Sequence, residues 1–130
     1  MRCITKDNIS QISAAALAYL GDSVLETMIR EKLILKGYEK PGKLNEQARK
    51  YVTAVNQNQA YLKIKDMLTE NEEAIVRRGR NSSHLNVPKS ASAIEYKSAT
   101  GFEALFGYLY LKGENERITE LFSHAYEDLQ

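Results

Sequence analysis

The sequence contains a single cysteine, Cys3, and one thiol forms neither an internal disulfide nor the sulfur cluster that a structural zinc requires. No apolar run approaches the ~18 residues of a membrane-spanning helix. The first residues, Met1 to Asp7, include a basic Arg2 but no apolar stretch of the kind that precedes a secretory cleavage site, so a cytoplasmic protein is expected. Bulk charge is also scarce. Eighteen lysines and arginines against 17 acids leave a formal net charge of +1, so affinity for a polyanion must come from where the charges lie. There are only two prolines, Pro41 and Pro88, each in a break between periodic segments, and alternating strands, internal repeats and low-complexity tracts are missing.

What is there is helical. A chain of 130 residues, 43% hydrophobic and 27% charged, is expected to form one all-α globular domain over 1–130. Periodicity predicts helices near 10–36, 44–69, 71–79, 92–112 and 114–128. In the first, Leu17, Leu20, Val24 and Met28 recur at three and four and predict the core stripe. The second offers Leu44, Ala48, Val52, Val55 and Leu62; the β-branched stretch from Tyr51 to Val55 is ambiguous by itself and is read as helical from its surroundings. Gly37 and Gly113 suit helix stops, and Arg77 to Ser92 reads as an irregular polar loop.

Two acids stand out by position. In Leu20-Gly21-Asp22-Ser23-Val24-Leu25-Glu26, at about 100° per residue, Asp22 falls on the margin of the apolar stripe with Ala18 and Glu26. Gly21 lies inside the stripe, where glycine costs about 1 kcal/mol relative to alanine and close approach of another backbone explains its presence. In Thr100-Gly101-Phe102-Glu103-Ala104-Leu105-Phe106-Gly107-Tyr108-Leu109, a core stripe of Phe102, Leu105, Phe106 and Leu109 leaves Glu103 at its margin, with Gly107 one turn on. If the two helices cross at their glycines, Asp22 and Glu103 would converge on one ion. Carboxylate oxygens suit magnesium, which makes a nucleophile of water and stabilises the leaving oxygen of a phosphodiester. The plainer alternative is that each acid pairs with a nearby cation, as Glu26 would with Arg30 at i,i+4.

Leu20-Gly21-Asp22-Ser23-Val24-Leu25 resembles the signature helix of ribonuclease III catalytic domains, and Ala99-Thr100-Gly101-Phe102-Glu103-Ala104-Leu105-Phe106-Gly107 resembles their second acidic motif, in the same order. Longer members of that family carry glutamates where Ala15 and Ala18 stand and an aspartate where Thr100 stands, and they append a double-stranded-RNA-binding domain for which 130 residues leave no room. These departures, together with Arg77-Arg78-Gly79-Arg80-Asn81 and Pro88-Lys89, are similar to the reduced branch, the Mini-ribonuclease III family. The resemblance implies the helical endonuclease fold, a homodimer, magnesium held by Asp22 and Glu103 as catalytic residues, and double-stranded RNA as substrate, notably the precursor of the large-subunit (23S) ribosomal RNA. It leaves open the number of metal ions per site, whether Glu26 assists, and whether a ribosomal protein takes part.

The segment from Arg77 to Lys97 has five basic residues, Arg77, Arg78, Arg80, Lys89 and Lys97, against one acid, Glu95. Arginine forks and lysines suit phosphates, and Asn81, Ser82 and Ser83 add short donors for a shallow minor groove, so this patch is the expected RNA-binding surface. A solvated basic loop is the competing explanation. His84 and His124 lack a nucleophile or a metal-spaced partner and are assigned surface or packing roles; Tyr108, Tyr110, Phe102 and Phe106 are assigned to the core or a dimer interface. A second functional reading is a non-catalytic double-stranded-RNA-binding or ribosome-assembly factor on the same fold, motivated by Ala15, Ala18 and Thr100. A helical interaction protein is a third.

Overall fold

The computed structural model describes residues 6–82 and 91–130; Cys3, Ser83, His84, Pro88 and Lys89 lie outside the described residues. Among the described residues there is no strand, and seven α-helices follow in order: α1 Lys6–Ile9, α2 Ala14–Leu35, α3 Pro41–Val52, α4 Ala54–Ile64, α5 Glu70–Ser82, α6 Ala93–Leu111 and α7 Asn115–Ala125, with 3₁₀ turns at Lys65–Met67 and Glu127–Leu129. Local chemistry sets the ends. Ser13 caps α2 by accepting from the Ala16 amide at 3.1 Å, and Ser92 and Glu95 form a reciprocal capping box at the start of α6. Gly37 and Gly113, at φ 104° and 74°, end α2 and α6 as expected, each followed by an amide that returns to the last turn: Tyr38 to Leu33 and Glu114 to Leu109.

The architecture is arranged around α6. Phe102, Leu105, Phe106 and Leu109 are fully buried, as their spacing predicts, and α2, α4, α5 and α7 all pack against this helix. The contact with α2 is the most extensive and is made backbone to backbone. A Cβ on Gly21 would fall on the Glu103 carbonyl and 2.9 Å from the Gly107 nitrogen, while one on Gly107 would fall on the Leu17 carbonyl. The close approach anticipated at Gly21 is therefore present. A second glycine pair joins α5 to α6, where a Cβ on Gly79 would meet the Gly101 Cα at 2.7 Å. At the far end of α5, Thr69 and Glu72 cap each other, and the buried Glu72 carboxylate accepts two bonds from Arg117 of α7 at 2.8 and 2.9 Å. A buried carboxylate needs such a partner, and this one ties α7 to α5.

Three expectations are corrected. The row of α2 that enters the core is Leu17, Gly21, Leu25, Ile29 and Leu33, whereas Leu20, Val24 and Met28 form a second row that is only partly covered. The predicted helix over 44–69 is two helices and a 3₁₀ turn. It breaks at Thr53, whose extended backbone (ψ 155°) and side chain, accepting from the Asn56 amide, start α4 afresh. Leu62 is accordingly exposed, and the covered face of α4 is Gln57, Ala60, Tyr61 and Ile64. Finally, α5 runs to Ser82, so Arg77, Arg78, Arg80, Asn81 and Ser82 are helical and not part of a loop; Ile75, Val76 and Gly79 keep one face of this last stretch packed.

Substitution at the glycine crossing should separate packing from helix propensity. Gly107→Ala is expected to destabilise the protein by about 3 kcal/mol because neither backbone can withdraw. Gly42→Ala, with nothing within 4 Å of its added Cβ, should lie within about 1 kcal/mol of wild type on the stabilising side. Urea unfolding of the two variants checks this, and equal midpoints would contradict the crossing geometry.

Candidate active site

Because Gly21 lies against the Glu103 carbonyl, the residues beside that contact point emerge together at one side of the α2–α6 crossing. They line a cavity of about 330 Å³ with Ala15, Ala18, Tyr19 and Asp22 from α2, Ser82 from the end of α5, and Tyr96, Thr100 and Glu103 from α6. Asp22 and Glu103, singled out on two separate helical wheels, thus share one pocket. Ala15, Ala18 and Thr100 line the same pocket. The Thr100 hydroxyl is turned back onto its own helix, donating to the Tyr96 carbonyl at 3.0 Å.

The electrostatics are those of two acids held too close. Glu103 is pushed up from an ordinary 4.5 to about 8, first by burial, then by the charge of Asp22 and a hydrogen bond in which the protonated Glu103 donates to it, with a smaller push from Glu26. Opposing these is the Gln57 amide, which pulls the carboxyl down. The buried Tyr126 hydroxyl, raised by its own burial, also senses the Glu103 charge. Glu26 itself is half-exposed and only loosely paired with Arg30, at 4.0 Å, so the plain ion pair expected there is weak. Two carboxyl groups in a pocket otherwise rich in hydroxyls and methyls form a donor set that fits a hard divalent cation. No group of three or more His, Cys, Asp or Glu side chains suited to a metal occurs among the described residues, so protein would supply two carboxylates and leave most of the coordination to water or phosphate.

The basic candidates are not brought together in the same way. Arg77 and Asn81 are exposed on α5 and Lys97 is exposed on α6, available to an outside partner. Ser82 lines the acidic cavity, with its hydroxyl donating to the Gly79 carbonyl. Arg78 donates to the Ile12 carbonyl at 2.8 Å, and Arg80 donates to the Tyr61 hydroxyl at 3.3 Å while stacking over its ring, so both have intramolecular partners. Lys89 lies outside the described residues. Sequence reasoning missed Gln57, whose buried amide faces Glu103, and Tyr19, which is 84% exposed at the rim of the cavity. The signal for Gln57 is its covered position in the 57, 60, 61, 64 register of α4, which becomes readable once the break at Thr53 is known.

The raised Glu103 carboxyl has a linkage consequence. A carboxyl whose pKa rises on folding contributes fully below its unfolded value of 4.5, and that contribution is lost as pH climbs towards about 8. Melting temperature measured in a chelator should therefore fall between pH 5 and 8 by an amount that Glu103→Gln removes, and added magnesium should restore more stability at pH 8 than at pH 6. A wild-type curve no steeper than that of Glu103→Gln would mean that folding does not raise the Glu103 carboxyl.

A family model, the Ribonuclease III domain, matches residues 15–114. A Mini-ribonuclease 3 from Symbiobacterium thermophilum is 46% identical over 109 residues, covering 84% of each chain. Another from Streptococcus pneumoniae is 40% identical over 125 residues, covering 95% of this chain and 98% of its own. The crystal structure of a Fusobacterium nucleatum protein superposes with a TM-score of 0.85 at 33% identity, covering 97% of this chain and all of that one. A cavity built on paired acids, inside a helical domain that matches along nearly its whole length, places this chain in the ribonuclease III family, in its Mini-ribonuclease 3 branch, as an endoribonuclease.

Proposed function

We propose that the protein is a magnesium-dependent hydrolase of double-stranded RNA, with precursor of the 23S ribosomal RNA as its substrate. The observation that carries this reading is the convergence of Asp22 and Glu103 in one cavity, where burial and the charge of Asp22 push the Glu103 carboxyl up and a divalent cation would relieve it. Asp22 and Glu103 would hold that ion. It would supply the charge that ionises water near neutral pH and that offsets charge developing on the phosphodiester. The two carboxylates fix where that chemistry takes place, and the methyls of Ala15 and Ala18 leave the pocket wide enough for a phosphate. Arg77, Asn81 and Lys97 are the exposed groups suited to flanking backbone, with Ser82 at the cavity itself; Arg78 and Arg80 would help chiefly by holding α5 in position.

The reading includes a homodimer. Leu20, Val24 and Met28 of α2, Tyr110 of α6 and Ile118 of α7 line an open, mainly apolar groove of about 370 Å³. Further along the same helix, Ile34 and Leu35 are 56% and 72% exposed. Contiguous apolar surface of this kind favours a partner, and a two-fold copy would present two acidic sites to the two strands of a duplex. A second functional reading, a duplex-binding factor without catalysis, is favoured by one observation: only two of the residues lining the cavity are acidic.

Cleavage of a long RNA duplex by the purified protein should require magnesium and fall by at least about 10³-fold in Asp22→Asn, a loss of roughly 4 kcal/mol of transition-state stabilisation, with the melting temperature kept or raised. Duplex binding without cutting under any magnesium concentration would instead establish the non-catalytic reading. Val24→Lys, at a half-covered position, should leave the helical circular dichroism unchanged and shift the sedimentation of the protein from dimer to monomer. A variant that sediments as wild type would place the interface elsewhere.

A further inference from the structure

Gln57 is 3% exposed, sits on the face of α4 that packs on α6, and has an amide nitrogen with no completed hydrogen bond among the described residues. A buried donor left in that state is unfavourable, whereas an apolar side chain of similar volume would avoid the cost. The rest of the covered face of α4, Ala60, Tyr61 and Ile64, shows that apolar matter is readily accommodated there. What the amide faces is the carboxyl of Glu103 on α6, with the bond between them not completed. The unfinished contact therefore has an acceptor beside it that belongs to the acidic pair.

On the reading of Asp22 and Glu103 as cation ligands, we propose that Gln57 is a positioning residue that donates its side-chain N–H to the Glu103 carboxylate and thereby orients it to share a cation with Asp22. The donor approaches from the buried side, through α4, and Asp22 approaches from the cavity side, through α2. Held between them, the carboxylate would keep one orientation towards the ion. An amide suits this task better than a lysine or arginine: it orients the carboxylate without a full positive charge that would compete with the cation. It also suits it better than a carboxyl, which would add a third negative group to a buried pair.

The experiment is manganese binding to the chelator-stripped full-length protein without RNA, followed through the electron paramagnetic resonance of free Mn²⁺, for wild type, Gln57→Met and Asp22→Asn. Gln57→Met keeps the length and removes the donor. It is expected to weaken Mn²⁺ binding by about tenfold or more, as loss of a group that orients a ligand does, to lower kcat for duplex cleavage with KM little changed, and to melt at or above the wild-type temperature. Wild-type affinity in Gln57→Met, with binding lost in Asp22→Asn, would overturn the role of Gln57 and leave the metal site standing. Absence of binding in the wild type itself would overturn both. A measurement on the wild type covers the case in which the variant fails to fold: the Gln57 side-chain ¹⁵N–¹H resonances should shift and their exchange with solvent should slow as magnesium saturates. Resonances that stay put while the amides around Asp22 move would overturn the proposal.

Discussion

The structure depends on one contact, the place where α2 and α6 touch through Gly21 and Gly107 without side chains between them. Any Cβ on either side would meet a carbonyl of the other helix, so the crossing point has almost no freedom to slide. That lack of freedom has a direct chemical result. Asp22 follows Gly21, and Glu103 supplies the carbonyl on which Gly21 rests, so the position of the two carboxyl groups relative to each other is set by main-chain packing and not by flexible loops. The second glycine contact, Gly79 on Gly101, brings the end of α5 to the same region and sets Ser82 beside the pair.

Holding two acids in this way opposes stability. Burial, and then the charge of Asp22, push the Glu103 carboxyl up to about 8, so folding disfavours its charged form near neutral pH. The remainder of the helical domain must outweigh this. Its fully buried residues on α2, α6 and α7, including Phe102, Phe106, Phe122 and Leu25, and the Glu72–Arg117 pair that joins α5 to α7, lie away from the acidic cavity and contain no comparable conflict. Strain is thus concentrated where function is proposed, as expected when a site is shaped for something other than the empty protein.

Much of this was readable from residue spacing alone. Helices α2, α6 and α7, the core stripe of Phe102, Leu105, Phe106 and Leu109, the stops at Gly37 and Gly113 and the close approach at Gly21 follow from the 3.6-residue period and the special geometry of glycine. The pairing of Asp22 with Glu103 was one of two readings that spacing allowed, and the resemblance of both motifs to ribonuclease III domains decided between them. Other features depended on tertiary context. Leu17 belongs to two apolar rows of α2 at once, and periodicity cannot tell which of the two meets α6. Thr53 suits a helix interior poorly and an N-cap well, but a residue-by-residue period averages over one such signal. The arginines near 77–80 look like loop residues by polarity and became helical because Val76 and Gly79 are packed on α6. Gln57 escaped notice because a polar residue in an apolar register is visible only once the register itself is known.

The two rows of α2 give the helix a division of labour that explains its length. Over 22 residues its inner row, Leu17 through Leu33, builds the core, while its outer row, Leu20, Val24 and Met28, remains open. Asp22 lies on the opposite flank of the inner row, in the acidic cavity and not in the open groove. A helix fixed on its inner side by backbone contact behaves as a rigid rod, so a copy seated on the outer row would have its own Asp22 placed at a set distance and orientation from the first. Duplex RNA presents its two strands at a fixed separation, and a flexible linkage between sites would not hold that match. The glycine crossing that orients one acidic pair within a chain is therefore also what would keep two such pairs in register across a dimer.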